Sequence, residues 1–437
     1  MTNGTRRGLL RSVGLLPLAA AVGALPAATA LAGARLPEAP VGVDAQTLAR
    51  DEDYWAQVAA LYDIARTPVP LENGFWGVMA TPVQAAYLRH QKRVNREGAA
   101  FARLAFPQMY RTALERAAQA LGTGVDEIAL TRNATEAMQA LIGGYNRLRP
   151  GDAVLCADVD YDSMLTAMRW LQQRRGVEVV EIALPEPATR QAILDAYARA
   201  FARHPRLRMM LLTQVSHRNG LRLPVAELCT MARQRDIDVI LDAAHGVGQL
   251  DLRLPDEGAD FVGVNFHKWF GAPVGVGGLY IRQGRASDID PHMGEADPRG
   301  ATATRVHTGT VNFAAVMALP DALDLHTHIG AANKRARLLH LSNGWIEAAR
   351  QTGAFEVLTA EAPELRSALG ALRLRGRNSI DDNRALATRL LDSFGIHTVM
   401  RDGLGSGACV RITPSVFTRP AEIDRLSDAL RRIATGH

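Results

Sequence analysis

Short apolar runs alternate with amphipathic stretches along most of this chain. Apolar positions at three- and four-residue spacing predict helices over residues 82–97, 107–121, 134–145, 163–174, 190–203 and 225–235. Compact aliphatic runs predict strands over residues 128–131, 153–156, 177–182, 209–213, 239–241, 261–264 and 278–281, the last two without a long helix between them. Strands separated by helices imply an α/β fold in which these seven strands form a mainly parallel sheet covered on both faces. After Asp321 the pattern changes. A long, bent helical stretch over 321–351 is followed by strand-like pieces at 369–374, 397–400 and 409–413 and helices near 382–393 and 421–433. The chain thus divides into a leader (1–34), an N-terminal segment joining the small domain (35–80), a large domain (81–320) and a smaller C-terminal α/β domain (321–437).

Composition refines this division. The 437 residues are 47% hydrophobic and 22% charged, as in an ordinary globular enzyme able to bury a large core. The formal charge of +5 comes partly from Arg6, Arg7 and Arg11; without them the balance is 47 basic to 45 acidic residues. No basic run interleaves with aromatics, which argues against a nucleic-acid partner. Cys156, Cys229 and Cys409 are too far apart for a zinc pattern, so no metal is expected. Thr5-Arg6-Arg7-Gly8-Leu9-Leu10-Arg11, an Ala/Leu-rich stretch and Ala32-Gly33-Ala34 read as a cleaved twin-arginine signal. The competing reading is a membrane anchor, which Pro17 and Pro26 disfavour. The mature protein is therefore expected in the periplasm, free of the membrane.

The candidate chemistry lies at strand ends, where open α/β sheets bind ligands. Lys92, Lys268 and Lys334 are the only lysines against 47 arginines. An arginine holds charge, but a lysine can also lose its proton and attack a carbonyl. Lys268 follows one predicted strand and Asp242 ends the one before it. Such a pair suits pyridoxal phosphate (PLP), with the lysine as Schiff-base residue and proton shuttle and the acid keeping the pyridine nitrogen protonated. Asp242 could equally be a capping residue. Ala243 and Ala244 leave room for a ring, and His245 could hydrogen-bond its phenolic oxygen. Asn133-Ala134-Thr135 at a strand-to-helix junction reads either as a phosphate site or as a plain N-cap. Asn265 and His267 are near enough in sequence to add phosphate donors, though His267 could be a buried structural histidine.

Leu241-Asp242-Ala243-Ala244-His245-Gly246, then Asn265-Phe266-His267-Lys268, then Gly275-Val276-Gly277-Gly278 resemble the class V aminotransferases. Thr131-Arg132-Asn133-Ala134-Thr135-Glu136 is similar to that family's phosphate loop and His307-Thr308-Gly309-Thr310 to its cross-subunit segment. The resemblance spans roughly residue 71 to the C-terminus and implies the PLP-dependent fold type I. It implies that Lys268 and Asp242 have the roles above and that Ala134, Thr135, Asn265 and His267 hold phosphate. It further implies a homodimer with Thr310 donated across the interface and Tyr161 as the ring over the cofactor, where simple helix-entry packing is the alternative. Arg411 would bind the substrate α-carboxylate, and Asn73-Gly74 resembles a substrate-touching loop.

Departures from the family pattern narrow the branch. The stretch 400–408 has no cysteine where a desulfurase carries its nucleophile, and Cys409 reads as a packed residue. His245, in place of a desulfurase's glutamine, leans toward the isopenicillin N epimerase-like branch. Together with the export signal, the chain resembles periplasmic enzymes that tailor pyoverdine siderophores. The expectation is a transaminase-type enzyme acting on an amino acid or a peptidyl glutamate, with epimerase or racemase and C–S lyase chemistry as alternatives. A binding protein that has lost its chemistry is disfavoured by the joint presence of Asp242, Lys268 and Arg411.

Overall fold

The structure, a computed structural model, describes residues 36–296 and 300–436. The predicted leader, 1–34, lies outside the described residues. A two-residue strand, β1 (Val69–Pro70), precedes the large sheet. That sheet contains β2 (Ile128–Thr131), β3 (Ala153–Ala157), β4 (Glu178–Ile182), β5 (Leu207–Thr213), β6 (Asp238–Asp242), β7 (Phe261–Asn265) and β8 (Gly277–Ile281). Their order is β2-β8-β7-β6-β5-β3-β4, and β8 alone runs antiparallel to its neighbours. The mainly parallel seven-stranded sheet is as expected.

Alternation along these strands feeds two cores. Val154, Cys156, Met209, Leu211 and Ile240 turn to the face that holds Met138 and Leu141 of helix Ala134–Gly144 and Met164 and Met168 of helix Asp162–Arg175. Leu155, Met210, Leu212, Leu241 and Val264 turn to the other face. Burial on both faces explains why the strands read as continuous apolar runs. Because β2, β3, β5, β6 and β7 share one direction, their carboxyl ends, with Thr131, Thr213, Asp242 and Asn265, meet at one edge.

The small domain holds an antiparallel sheet of β9 (Phe355–Val357), β10 (Gly370–Leu374), β12 (Val399–Arg401) and β13 (Cys409–Ile412), in the order β12-β13-β10-β9. The single strand expected over 397–400 is split. β11 (Ile396–His397) pairs with β1, and β12 pairs with β13. The long helical stretch breaks at Gly330, whose φ of 89° ends helix Leu319–Ile329 before Ala331–Thr352 begins.

The segment 35–80 also divides. Val69 and Leu71 join the small-domain core with Trp345 and Ile412. Two short helices, Ala45–Leu48 and Glu52–Ala60, were not foreseen; Asp44 and Asp51 cap them. They lie against helix Ala331–Thr352, where Arg337 donates to the Ala49 carbonyl and pairs with Glu52. Among the described residues no helix is long and apolar enough to cross a membrane.

Candidate active site

The strand-end edge opens into a cavity of about 380 Å³. Its walls include Asn133, Ala134, Thr135, Tyr161, Asp242, His245, Asn265, His267, Lys268, Arg401 and Arg411. The structure thus brings together residues from across the whole chain.

Lys268 follows β7 in a tightly held turn. The Gly77 N–H donates to the His267 carbonyl, and a Cβ on Gly77 would lie 1.8 Å from the Lys268 carbonyl oxygen. Burial lowers the Lys268 amine to about 8; Asp242 opposes that shift, whereas Arg411 and Arg401 add to it. Its Nζ lies 3.1 Å from His245 Nε2. An indole N–H can only donate, and that of Trp269 reaches His245 Nδ1 at 3.4 Å. Burial holds His245 well below its ordinary value, so its ring is neutral and carries its proton on Nε2. That proton is then donated to a neutral Lys268 amine, the form that can attack a carbonyl.

Asp242 is 6% exposed and accepts from the Ala244 N–H at 2.9 Å. Its carboxyl is raised by burial and lowered by that bond and by Lys268. At the junction of β2 with helix Ala134–Gly144, Asn133 caps the Glu136 N–H, while Asn265 Oδ1 accepts from the Ala134 N–H at 2.8 Å. The Ala134 N–H, expected at the phosphate, is therefore engaged with Asn265. Thr135 and the Asn265 amide remain as donor groups on the wall. A Cβ on Gly277 would lie 2.6 Å from Asn133 Cα, so glycine is what lets β8 approach this loop. His267 Nδ1 donates to the Val276 carbonyl at 3.1 Å, and burial lowers the ring to about 4. A phosphate accepts but does not donate, so His267 would serve it as the imidazolium.

The lysine, the acid, the helix N-terminus and the cavity volume all fit PLP. Lys268, Asp242, His245, Thr135, Asn265 and His267 would hold it.

Other expectations are modified. Asn73 Nδ2 donates to the Pro70 and Thr413 carbonyls, both at 2.8 Å, so Asn73 fastens its loop and does not line the cavity. Its neighbour Gly74 lines it instead. Arg411 lines the cavity but is already ion-paired with Glu72. Tyr161 caps helix Asp162–Arg175 and meets His217 edge-on, with ring centroids 5.0 Å apart. Thr310 is exposed and lies outside its own chain's cavity. Cys409 is fully buried, its thiol pushed up to about 12 by burial and its Sγ 3.8 Å from the Arg218 carbonyl. It shares no wall of the cavity.

Sequence reasoning missed Glu72, Arg401, His217 and the exposed pair Phe75 and Trp76 at the cavity. It also passed over Lys334, whose buried Nζ donates to the Trp269 carbonyl at 2.6 Å. Its rarity in an arginine-rich chain was the available signal.

A family model described as Aminotransferase class-V matches residues 78–426. The chain belongs to that family. It is 32% identical over 346 residues to isopenicillin N epimerase of Streptomyces clavuligerus, covering 74% of this chain and 84% of the relative. It is 26% identical over 363 residues to a probable cysteine desulfurase of Vibrio cholerae, covering 79% and 87%. Among solved structures, the cysteine desulfurase CsdA of Escherichia coli superposes with a TM-score of 0.73 at 23% identity, over 87% of this chain and 98% of that one. The cystine C–S lyase C-DES, solved with cysteine persulfide, gives 0.74 at 21% identity, over 84% and 98%. These two likenesses concern the fold. This class V protein is a PLP-dependent enzyme of fold type I, on the epimerase-like branch.

Proposed function

We propose that this enzyme performs transaminase-type chemistry at the α-carbon of an amino acid or a peptidyl glutamate. The observation that carries the reading is the neutral Lys268 amine, 3.1 Å from His245 Nε2 in the cavity that also holds Asp242 and Arg411. Bound PLP supplies an electron sink that makes an α-C–H bond acidic. Asp242 holds a proton at the ring nitrogen, and Lys268 moves the α-proton. Arg411 and Arg401 receive a carboxylate. Desulfurase chemistry is disfavoured because the segment before β13 lacks a cysteine and Cys409 is walled in.

Epimerisation is the second reading. It is supported by the likeness to isopenicillin N epimerase and by Tyr161 on the cavity wall, where a hydroxyl could return a proton. Thr5-Arg6-Arg7 supports export to the periplasm, and with it a siderophore-tailoring role. The exposure of Thr310 outside its own cavity supports a homodimer in which it serves the neighbouring site.

The test is an absorption spectrum of the purified protein before and after L-glutamate or a glutamyl peptide. Conversion of the visible cofactor band to a pyridoxamine-like band supports transamination. A persistent band with α-deuteration and inversion in heavy water moves the assignment to epimerase. Sulfide released from cysteine moves it to lyase. No band after PLP is added overturns the reading.

A further inference from the structure

Arg411, the residue that would receive a substrate carboxylate, already has one beside it. Its side chain is 1% exposed; Nη1 donates to the His217 carbonyl at 2.6 Å and Nη2 to Glu72 Oε1. Arg401 Nη2 lies 3.7 Å from the same oxygen. The Glu72 side chain is 9% exposed and its Oε2 is buried without a partner, as are the Nε atoms of both arginines. Arg401 and Arg411 line the cavity, whereas Glu72 does not.

The backbone delivers this carboxylate. The Thr413 N–H donates to the Leu71 carbonyl and the Asn73 N–H to the Thr413 carbonyl, so Glu72 is bridged to the end of β13, two residues past Arg411. Gly74 continues the same loop so close to Arg411 that a Cβ would lie 2.8 Å from Nη2. Two guanidinium groups therefore face one resident carboxylate, leaving one positive charge uncompensated and two N–H groups unpartnered on the arginine pair. One further anionic group would neutralise it.

Resting on the amino-acid substrate reading above, we propose that Glu72 is a resident counter-ion that competes with substrate for Arg411 and Arg401. It sets the pair to accept a ligand with a single carboxylate at this end of the cavity. Glu72 is thus a specificity-determining residue that acts on affinity through the arginines, with Arg401 as the second half of the carboxylate site.

The test uses cofactor-loaded protein and two probes without an amino group, butyrate and butyramide, with dissociation constants measured by saturation-transfer NMR. Neither probe can react, so the result is independent of turnover. Failure of the PLP reading shows separately, as a missing cofactor band. In Glu72→Gln the preference for the acid over the amide should rise about tenfold or more, because the competing charge is gone. In Arg401→Gln, where Arg411 and Glu72 neutralise each other, the preference should fall by about tenfold or more. Thermal melting and circular dichroism confirm that each variant is folded. A folded Glu72→Gln protein with an unchanged or smaller preference overturns the proposal, as does an unchanged preference in Arg401→Gln. If Glu72→Gln does not fold, the partly exposed Arg401 variant decides.

Discussion

Replacing Lys268 with methionine should abolish turnover and at the same time stabilise the cofactor-free protein. Burial lowers the Lys268 amine from 10.5 to about 8. At about 1.4 kcal/mol per pKa unit, that drop corresponds to about 3 kcal/mol of destabilisation at pH 7. Between about pH 8 and 10.5 the unfolded chain binds more protons at this site than the folded one, so stability rises with pH across the window. The cost is fully present below the folded value and absent above the unfolded one. Methionine keeps an unbranched chain of similar length but loses the contact to His245 Nε2, worth about 1 kcal/mol. The net expectation is a gain of about 2 kcal/mol at pH 7 that shrinks toward zero by about pH 10. Urea unfolding of both cofactor-free proteins across this range measures it. A variant equal to or less stable than the parent at pH 7 refutes the reasoning, as does a difference that does not shrink with pH.

Three further outcomes follow from the geometry. Cys409→Ser should keep turnover within about twofold, because the thiol is buried and held at about 12; abolished turnover in a folded variant would restore a chemical role for it. Asn265→Ala leaves the buried Ala134 N–H without its acceptor, so urea unfolding should show a loss of about 1–3 kcal/mol. The same variant should bind PLP more weakly by equilibrium titration, and unchanged affinity would remove Asn265 from the phosphate site. Gly77→Ala places a carbon 1.8 Å from the Lys268 carbonyl oxygen, a clash that backbone must relieve. It should cost about 3 kcal/mol or more and disturb the cofactor absorption band; a spectrum like the parent's would show that the Lys268 turn is not held there.

The sequence by itself determined the sheet, its seven strands and the residues at their carboxyl ends. Apolar strands buried on both faces stand out as continuous runs, and a shared strand direction brings Thr135, Asp242 and Lys268 to one edge whatever the loops do. The scarcity of lysine pointed to Lys268 before any contact was known. What the sequence concealed are the pairings between residues far apart in it. Glu72 meets Arg411 across 339 positions, and Asn265 meets the Ala134 N–H across 131. No periodicity encodes such meetings, because they depend on how the small domain's β13 lies beside the loop that follows β1. Local propensity likewise could not split residues 397–400 into two strands, since β11 and β12 are separated by the partners they find, β1 and β13. The neutral state of the Lys268 amine belongs to the tertiary structure as well. It comes from burial and from a histidine whose tautomer Trp269 fixes, and neither exists until the chain has closed around them.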